Sequence, residues 1–147
     1  MEANQRDIEL IETLIVPLVG ARGGQIKLSL NKQTGFKKKG MIEPWMIKKR
    51  NKAHFRKYIP YAEEKIATFY DMRFVKITRL IPSRGRIMDD DNFKGGCKQV
   101  RDILTEMRWI YDDDHNHSLF RYYQDKTRKS PIHSLEIKIG QIKRKKM

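Results

Sequence analysis

The segment from Arg73 to Met107 constrains the fold of this chain more than any other part of its sequence. It opens with an apolar run typical of a strand, formed by Phe74, Val75, Ile77, Leu80 and Ile81. A turn over residues 82–85 follows, and then three carboxylates that we call the first acidic cluster, Asp89, Asp90 and Asp91. Beyond it, apolar residues recur at alternating steps of four and three, at Phe93, Cys97, Val100, Leu104 and Met107. This spacing predicts a helix with one buried face, which completes a unit of strand, acidic turn and helix.

Other periodic segments place this unit in a single α+β domain. Alternation in Gln25–Leu30 predicts a half-buried strand, and Pro44–Tyr70 predicts a basic helix that an internal proline bends or breaks. Ser118–Gln124 and His133–Ile139 predict two closing strands, and the polar stretch Asp125–Pro131 suits a hairpin between them. We therefore predict a mixed sheet of about four to five strands with two main helices.

The first residues form a separate predicted element. Between Asp7 and Val19 the apolar residues lie at helical spacing, at Ile8, Ile11, Leu14, Ile15 and Leu18. We predict an appended N-terminal helix within residues 1–24, packed on the domain or on a second subunit. The main domain is predicted over residues 25–140, and a basic tail over residues 141–147.

The formal net charge of +14 over 147 residues predicts a polyanionic partner, and nucleic acid suits this charge best. A membrane surface suits it less well, because the basic residues do not gather on one long amphipathic helix. No apolar run approaches the roughly 20 residues that a transmembrane helix needs. The single cysteine, Cys97, cannot form an internal disulfide, so we predict a reducing, cytoplasmic setting and no thiol-based zinc site.

Basic residues in several segments are candidates for contacts with phosphates. Glycines bound the loop around Lys37–Lys39, and the helix after Pro44 interleaves basic and aromatic residues, which suits a surface that follows a phosphate backbone. A solvated charge run and a buried aromatic face are equally compatible with these patterns. The candidates for DNA contact are Lys37, Lys38, Lys39, Lys48, Lys49, Arg50, Lys52, Arg84, Arg86 and Arg101.

A second acidic cluster, Asp112-Asp113-Asp114, follows the helix and suggests a metal site. On an extended chain Asp89 and Asp91 share one side, and two such carboxylates stay ionised together only if a cation lies between them. A hard ion such as Mg²⁺ takes oxygen ligands, and Mn²⁺ is an alternative. If the turn after the helix brings Asp113 back to this pair, the site could activate water for in-line attack at phosphorus.

Two lysines lie on the predicted helix near the first acidic cluster. Lys94 and Lys98 fall on one side of that helix together with Arg101, where a lysine could stabilise charge that develops on a phosphate. Gly95 and Gly96 each weaken the helix by roughly 1 kcal/mol. We predict that they allow another backbone to approach closely.

The acidic residues also have a purely structural interpretation. Asp91 or Asn92 could cap the helix, and Asp112–Asp114 could form a solvated turn. Two acidic clusters that flank one helix, in a chain this basic, favour the metal hypothesis. His115 and His117 could touch the metal, although histidines in loops usually have no such role.

Between residues 86 and 114 the sequence resembles the RusA-like Holliday junction resolvases. The family pattern is Asp-x-Asp-Asn at the end of a strand, then a helix with a Lys-x-x-x-Asp-x-Leu step, then an apolar triplet and Asp-Asp. The matching residues are Asp89-Asp90-Asp91-Asn92, Lys98-Gln99-Val100-Arg101-Asp102-Ile103-Leu104 and Trp109-Ile110-Tyr111-Asp112-Asp113. A looser resemblance extends over residues 25–140.

The resemblance implies a role for each matching residue. The implied metal ligands are Asp89, Asp91 and Asp113, the implied catalytic lysine is Lys98, and Asp112 is a neighbour of the site. The stretch from Asn92 to Lys98 is longer than in the family pattern, so Lys94 competes for the lysine role. The triple aspartate after Tyr111 leaves both Asp113 and Asp114 open as the third ligand.

The resemblance also implies a function. It predicts an Mg²⁺-dependent homodimer, without a small-molecule cofactor, that cuts four-way DNA junctions by symmetric paired nicks during recombination and repair. The expected location is the cytoplasm of a bacterial or phage-infected cell. Two alternatives are a non-catalytic basic nucleic-acid-binding protein and a nuclease for other branches, such as flaps or forks.

Overall fold

The structure is a computed structural model that describes residues 7–20, 26, 28, 44–82, 84–128 and 130–143. Its elements in chain order are strand β1 (Ile8–Pro17), helix α1 (Pro44–Tyr58), a short 3₁₀ helix (Glu63–Lys65), strand β2 (Arg73–Leu80), helices α2 (Asp90–Gly96) and α3 (Lys98–Glu106), and strands β3 (Ser118–Asp125) and β4 (Ser134–Ile142). The predicted positions of β2, β3 and β4 are confirmed. The predicted break of the basic helix at Pro60 is also confirmed, because α1 ends at Tyr58.

The described strands form one four-stranded mixed sheet in the order β1-β4-β2-β3. Strand β4 runs antiparallel to both β1 and β2, whereas β2 runs parallel to β3. A parallel pair needs a crossover connection, and α2 and α3 lie in the connection from β2 to β3. The predicted α+β class, with a single mixed sheet and two main helices, α1 and α3, is confirmed.

The predicted N-terminal helix is wrong, because Ile8–Pro17 is a strand at the edge of this sheet. Its pairing with β4 shifts between Leu10 and Glu12, so Ile11 is the extra residue of a β-bulge. The bulge interrupts the alternation of inward-facing side chains, and Ile11 and Leu14 both contact the core. These two inward-facing apolar residues are therefore three positions apart, a spacing that is also typical of a helix.

The predicted hairpin between the last two strands is also wrong. Strand β3 pairs with β2, and β4 lies between β1 and β2. Leu135, Ile137 and Ile139 are completely buried, as is typical of a strand with neighbours on both sides. A polar connection shows where one strand ends and the next begins, but it does not show whether these two strands pair with each other.

The predicted helix after the first acidic cluster is divided in two at Cys97, whose backbone has φ −84° and ψ 3°. Its predicted buried face is confirmed at Phe93, Cys97, Val100 and Leu104, which are all at most 1% exposed. The fifth predicted member, Met107, is half-buried and packs against the core. A Cβ on Gly96 would lie 1.4 Å from the carbonyl oxygen of Leu28. This confirms the predicted close approach of a second backbone at Gly96.

Only part of the predicted strand Gln25–Leu30 can be assessed. Ile26 donates its backbone N–H to the carbonyl of Leu18 at 2.8 Å and packs against the core, and Leu28 is buried. The other residues of that prediction, like Lys37–Lys39 and most of the basic tail, lie outside the described ranges.

Helices α1, α2 and α3 pack on one face of the sheet, where their apolar side chains join those of the strands in a single core. His54 of α1 donates from Nε2 to the carbonyl of Pro17 at 2.6 Å, which attaches the helix to the end of β1. Two ion pairs, Lys52 with Asp102 at 3.2 Å and Arg56 with Glu106 at 2.8 Å, connect α1 to α3. None of the helices in the described ranges is both long and apolar enough to cross a membrane.

The opposite face of the sheet, which we call the outer face, carries polar side chains at its centre. These are Lys76, Thr78, Tyr123, Glu136 and Lys138. The pairing sets Lys76 directly opposite Lys138, and Thr78 directly opposite Glu136. Apolar residues directed inward and polar residues directed outward are typical of a sheet with one face open.

Arg128 holds the buried carboxylate of Glu136 on the outer face, with two hydrogen bonds of 2.9 Å each. These bonds lower the pKa of Glu136 below its usual value, and Lys138 adds to the effect. The pair therefore stabilises the fold above the unfolded-state pKa of about 4.3, and this contribution disappears as the pH falls through the lower folded-state pKa.

We expect Arg128→Ala to destabilise the protein at pH 7 by about 1 kcal/mol, a modest value because solvent screens the exposed guanidinium. The loss should shrink as the pH falls below about 4. Denaturant unfolding of wild type and variant at pH 7 and pH 3 measures the difference. An equal loss at both values would show that the pairing with ionised Glu136 is not its cause.

Candidate functional site

The first acidic cluster lies at the start of α2. Asp89 is the N-cap residue, and its Oδ2 accepts a hydrogen bond from the backbone N–H of Asn92 at 3.2 Å. Asp90 and Asp91 follow in the first turn with exposed side chains. Sequence reasoning predicted that a residue of this group could cap the helix, and the cap is Asp89 rather than Asp91 or Asn92.

Gln124, near the end of β3, fixes the backbone immediately before the cluster. Its Oε1 accepts a hydrogen bond from Met88 N–H at 2.9 Å, and its Nε2 donates to the Met88 carbonyl at 2.6 Å. Arg79 of β2 donates from Nη1 to Gln124 Oε1 and to the carbonyl of Arg86, both at 3.0 Å. This Gln124 clamp therefore anchors the segment that leads into Asp89 to two strands of the sheet.

Replacing Gln124 tests the clamp directly. Gln124→Ala removes both bonds to Met88, so we expect a loss of about 1–2 kcal/mol in the free energy of unfolding and faster amide exchange at Met88. Gln124→Glu keeps the acceptor for Met88 N–H and loses the donor, so its effects should be intermediate. Exchange measured by NMR at Met88, with a β4 amide as reference, distinguishes the three proteins. Equal exchange rates at Met88 would contradict the anchoring role.

The second acidic cluster lies in the loop between α3 and β3, and two of its carboxylates serve that loop. Asp112 Oδ1 accepts from the backbone N–H of Asp113 at 2.7 Å. Asp114 Oδ1 accepts from the backbone N–H of Asn116 at 3.0 Å and from His117 Nδ1 at 2.7 Å. Partial desolvation raises the pKa of Asp114, but the bonds from His117 and Asn116 outweigh it and lower the pKa overall. The predicted solvated turn is thus present at Asp112 and Asp114.

Asp113 is the member of this cluster whose carboxylate has no hydrogen bond or ion pair with another described residue. Burial raises the pKa of the Tyr122 hydroxyl, and Arg101 opposes this effect through its charge and its hydrogen bond. The Tyr122 hydroxyl accepts from Arg101 Nη1 at 2.9 Å, and the same nitrogen donates to the Lys94 carbonyl at 2.9 Å. Among the described residues, Asp113 is therefore the member of the second acidic cluster whose carboxylate is not already engaged.

The structure does not gather these acidic residues into one ready-made ligand set. Within the described ranges, no three side chains of His, Cys, Asp or Glu lie together so that they could hold a metal ion. The predicted convergence of Asp89, Asp91 and Asp113 is therefore not present in this conformation. The donor chemistry still fits Mg²⁺, because this ion is commonly bound by one or two carboxylates that substrate phosphates and water supplement.

The two candidate lysines differ in their surroundings. Lys94 is exposed on α2, three residues after Asp91, so both project from neighbouring positions on one short helix. Lys98 opens α3, and its Nζ lies 4.0 Å from Asp102 Oδ1 while its side chain is 63% exposed. Asp102 is also paired with Lys52, so Lys98 shares its acidic partner with α1.

The predicted DNA-contact residues fall into several groups. Lys49 and Arg50 are exposed on α1, and Arg84 and Arg86 are exposed in the loop before the first acidic cluster. Lys48 is half-buried. Lys52 forms an ion pair with Asp102. Arg101 donates hydrogen bonds to the Lys94 carbonyl and to the Tyr122 hydroxyl. The loop Lys37–Lys39 lies outside the described residues.

Sequence reasoning missed Arg79, Gln124 and Tyr122. A polar side chain at an inward position of a strand is the signal that could have identified them, because a buried polar group needs a partner. Arg79 is 6% exposed in β2 and is paired with Gln124 across the parallel strands. The partner of such a residue becomes visible only when the strand pairing is known.

The sequence matches no family model, and no curated protein is significantly similar to it. The resemblance to the RusA-like resolvases, which depends on the motif between residues 86 and 114, therefore stays a prediction.

Proposed function

We propose that this protein is a divalent-metal-dependent endodeoxyribonuclease that resolves four-way DNA junctions, in the cytoplasm of a bacterial or phage-infected cell. The observation that carries the proposal is the Gln124 clamp, which anchors the entry to the first acidic cluster while Asp90 and Asp91 stay exposed. Exposed carboxylates on a fixed backbone are suited to binding a metal ion, and the net charge of +14 is suited to attracting phosphates to it.

The candidate residues have two roles, metal binding and stabilisation of charge on the phosphate. In a metal-bound state that brings the two acidic clusters closer together than in the present conformation, Asp89, Asp91 and Asp113 would hold Mg²⁺ or Mn²⁺ together with oxygens of the DNA phosphate. The bound ion would supply Lewis-acid polarisation of the phosphate and a more acidic bound water. Lys94 and Lys98 are the candidates for stabilising the additional negative charge on the phosphate oxygens. Among the described acidic residues of the second cluster, Asp113 suits the ligand role better than Asp114, whose carboxylate is engaged by His117 and Asn116.

The basic residues would hold the DNA backbone. Lys49 and Arg50 on α1, together with Arg84 and Arg86 before the first acidic cluster, offer exposed positive charge for phosphates. Such contacts position DNA by its shape and charge rather than by its sequence. A symmetric homodimer would present two such sites, as paired nicks in opposite strands require.

One observation favours a second candidate function, a non-catalytic nucleic-acid-binding protein. The described residues contain no trio of His, Cys, Asp or Glu side chains placed to hold an ion. Asp89, Asp112 and Asp114 already serve as a helix cap and as turn acceptors. In such a protein the acidic clusters would be structural, and binding would not depend on a divalent metal.

A comparison of substrates separates these functions. The protein is incubated with a four-way junction, a flap and a linear duplex of matched sequence, in Mg²⁺, in Mn²⁺ and in EDTA. Junction resolution predicts rapid cutting of the four-way junction alone, in either metal and not in EDTA. Preferential cutting of the flap would assign the protein to other branched substrates. Binding without cutting under all conditions would favour the non-catalytic function.

A further inference from the structure

The outer face carries two lysines that face each other across a strand pair. Lys76 of β2 lies directly opposite Lys138 of β4, so their side chains emerge next to each other on the same face. Like charges in directly opposed positions destabilise a sheet. Arg121 of β3 lies opposite Lys76 on its other side and extends this row of positive charge across three strands.

The acidic residues nearby neutralise this row only in part. Both carboxylate oxygens of Glu136 accept hydrogen bonds from Arg128, and Lys138 Nζ forms a long ion pair with Glu136, at 4.0 Å. Asp125 pairs with Arg128 as well, at 3.3 Å. Lys76 has no carboxylate within ion-pair distance among the described residues, and its Nζ lies 5.0 Å from the centre of the Tyr123 ring. A surplus of positive charge therefore faces solvent at the centre of the sheet.

The surface between these groups is concave. A depression of about 360 Å³ is lined by Lys76, Thr78, Tyr123, Arg128 and Lys138, by residue Gln124, and by two carboxylates, Asp125 and Glu136, both of which pair with Arg128. Two ammonium groups beside two hydroxyl groups suit a phosphodiester, which accepts hydrogen bonds and carries one negative charge. The exposed ring of Tyr123 adds a flat apolar surface beside the phosphate position, as nucleic-acid sugars and bases prefer.

We propose that the outer face binds the phosphate backbone of a nucleic-acid arm, through Lys76 and Lys138. The identification of the nucleic acid as DNA rests on the proposed function. The acidic clusters and α1 belong to the connections and helices of the other side, so the two surfaces are separated by the sheet. A straight duplex can contact only one of these two surfaces at a time, whereas different arms of a branched molecule can contact both. The outer face thereby favours branched over linear DNA.

The test measures binding rather than cutting, so that it does not depend on catalysis. Fluorescence anisotropy in EDTA gives the affinity of the full chain for a four-way junction and for a linear duplex over a series of salt concentrations. The variant is Lys76→Gln/Lys138→Gln. We expect its slope of log affinity against log salt for the junction to be shallower by about 2, because each phosphate contact contributes roughly 0.9. Its slope for the linear duplex should change less, because a straight duplex can bind the helix side of the sheet instead.

Three controls accompany this variant. Lys76→Arg/Lys138→Arg keeps both charges and should retain the wild-type slope. Lys65→Gln removes a different surface lysine, one that pairs with Glu12 at 3.0 Å, and should also leave the slope unchanged. The melting temperature of the double Gln variant should stay close to that of the wild type, because the relief of repulsion between opposed lysines offsets the loss of the long Lys138–Glu136 pair and of the Lys76–Tyr123 contact.

The possible outcomes separate this inference from the proposed function. An unchanged junction slope in a folded double Gln variant would overturn the outer-face proposal and leave the nuclease proposal intact. An equal reduction for junction and linear duplex would overturn the proposed preference for branched DNA. If the wild type bound neither DNA, both proposals would be wrong. A reduced junction slope with normal metal-dependent cutting rates at saturating protein would support binding at the outer face.

Discussion

Asp91→Asn is expected to reduce the rate of metal-dependent DNA cutting by at least about 100-fold, which corresponds to about 2.7 kcal/mol of lost transition-state stabilisation. The substitution keeps the size of the side chain and removes the charge that would bind the cation. The affinity for DNA in EDTA should stay the same or rise, since a negative charge near the phosphates has been removed. Single-turnover cutting rates and anisotropy binding, measured on the same protein preparations, give the two quantities.

Asp90→Asn is the matched control for this experiment. Asp90 and Asp91 are adjacent, both exposed and both in the first turn of α2, but the motif assigns a ligand role to Asp91 alone. We expect Asp90→Asn to change the cutting rate by less than about 3-fold, within the range of a screened surface charge. Equal losses in the two variants would indicate a general effect of negative charge rather than a specific ligand at Asp91.

Gly96→Ala is expected to destabilise the protein strongly, by at least about 3 kcal/mol. The added Cβ would lie 1.4 Å from the carbonyl oxygen of Leu28 and 2.5 Å from its carbonyl carbon. These are backbone atoms, so a change of side-chain rotamer cannot relieve the overlap. For a domain of this size, the loss corresponds to a decrease in melting temperature of roughly 6–12 °C.

Gly95→Ala provides the control for Gly96→Ala. Gly95 is half-buried in the same helix, and alanine favours a helix by about 0.5–1 kcal/mol over glycine. We therefore expect Gly95→Ala to be neutral or slightly stabilising. A melting temperature for Gly96→Ala within about 2 °C of the wild type would contradict the close packing of Leu28 against α2.

The parts of the fold that could be predicted from the sequence are those whose patterns are local. The apolar face formed by Phe93, Cys97, Val100 and Leu104 is a local pattern, and all of these residues are buried in the structure. Strand β1 could not be predicted, because the bulge at Ile11 changes the apolar spacing in a way that pairing with β4 alone explains. The position of β4 in the middle of the sheet depends in the same way on contacts between distant segments.

The same distinction applies to the candidate site. The location of Asp89–Asp91 at the start of a helix followed from the sequence, because acidic residues before an apolar helical pattern are typical of a cap. The Gln124 clamp could not be predicted, since Gln124 and Met88 are 36 positions apart and meet only through the pairing of β2 with β3. That Asp113 does not join the first acidic cluster likewise depends on the arrangement of the loop between α3 and β3, which no local pattern shows.

The most direct test of the proposed nuclease activity is to map nicks on a synthetic four-way junction, labelled on each of its four strands in separate reactions. Wild-type protein in Mg²⁺ is predicted to nick two opposite strands at symmetric positions, and to nick none in EDTA. The Asp91→Asn protein should bind the junction and leave all strands intact. A wild-type protein that binds the junction but leaves every strand uncut in both Mg²⁺ and Mn²⁺ would contradict the proposal.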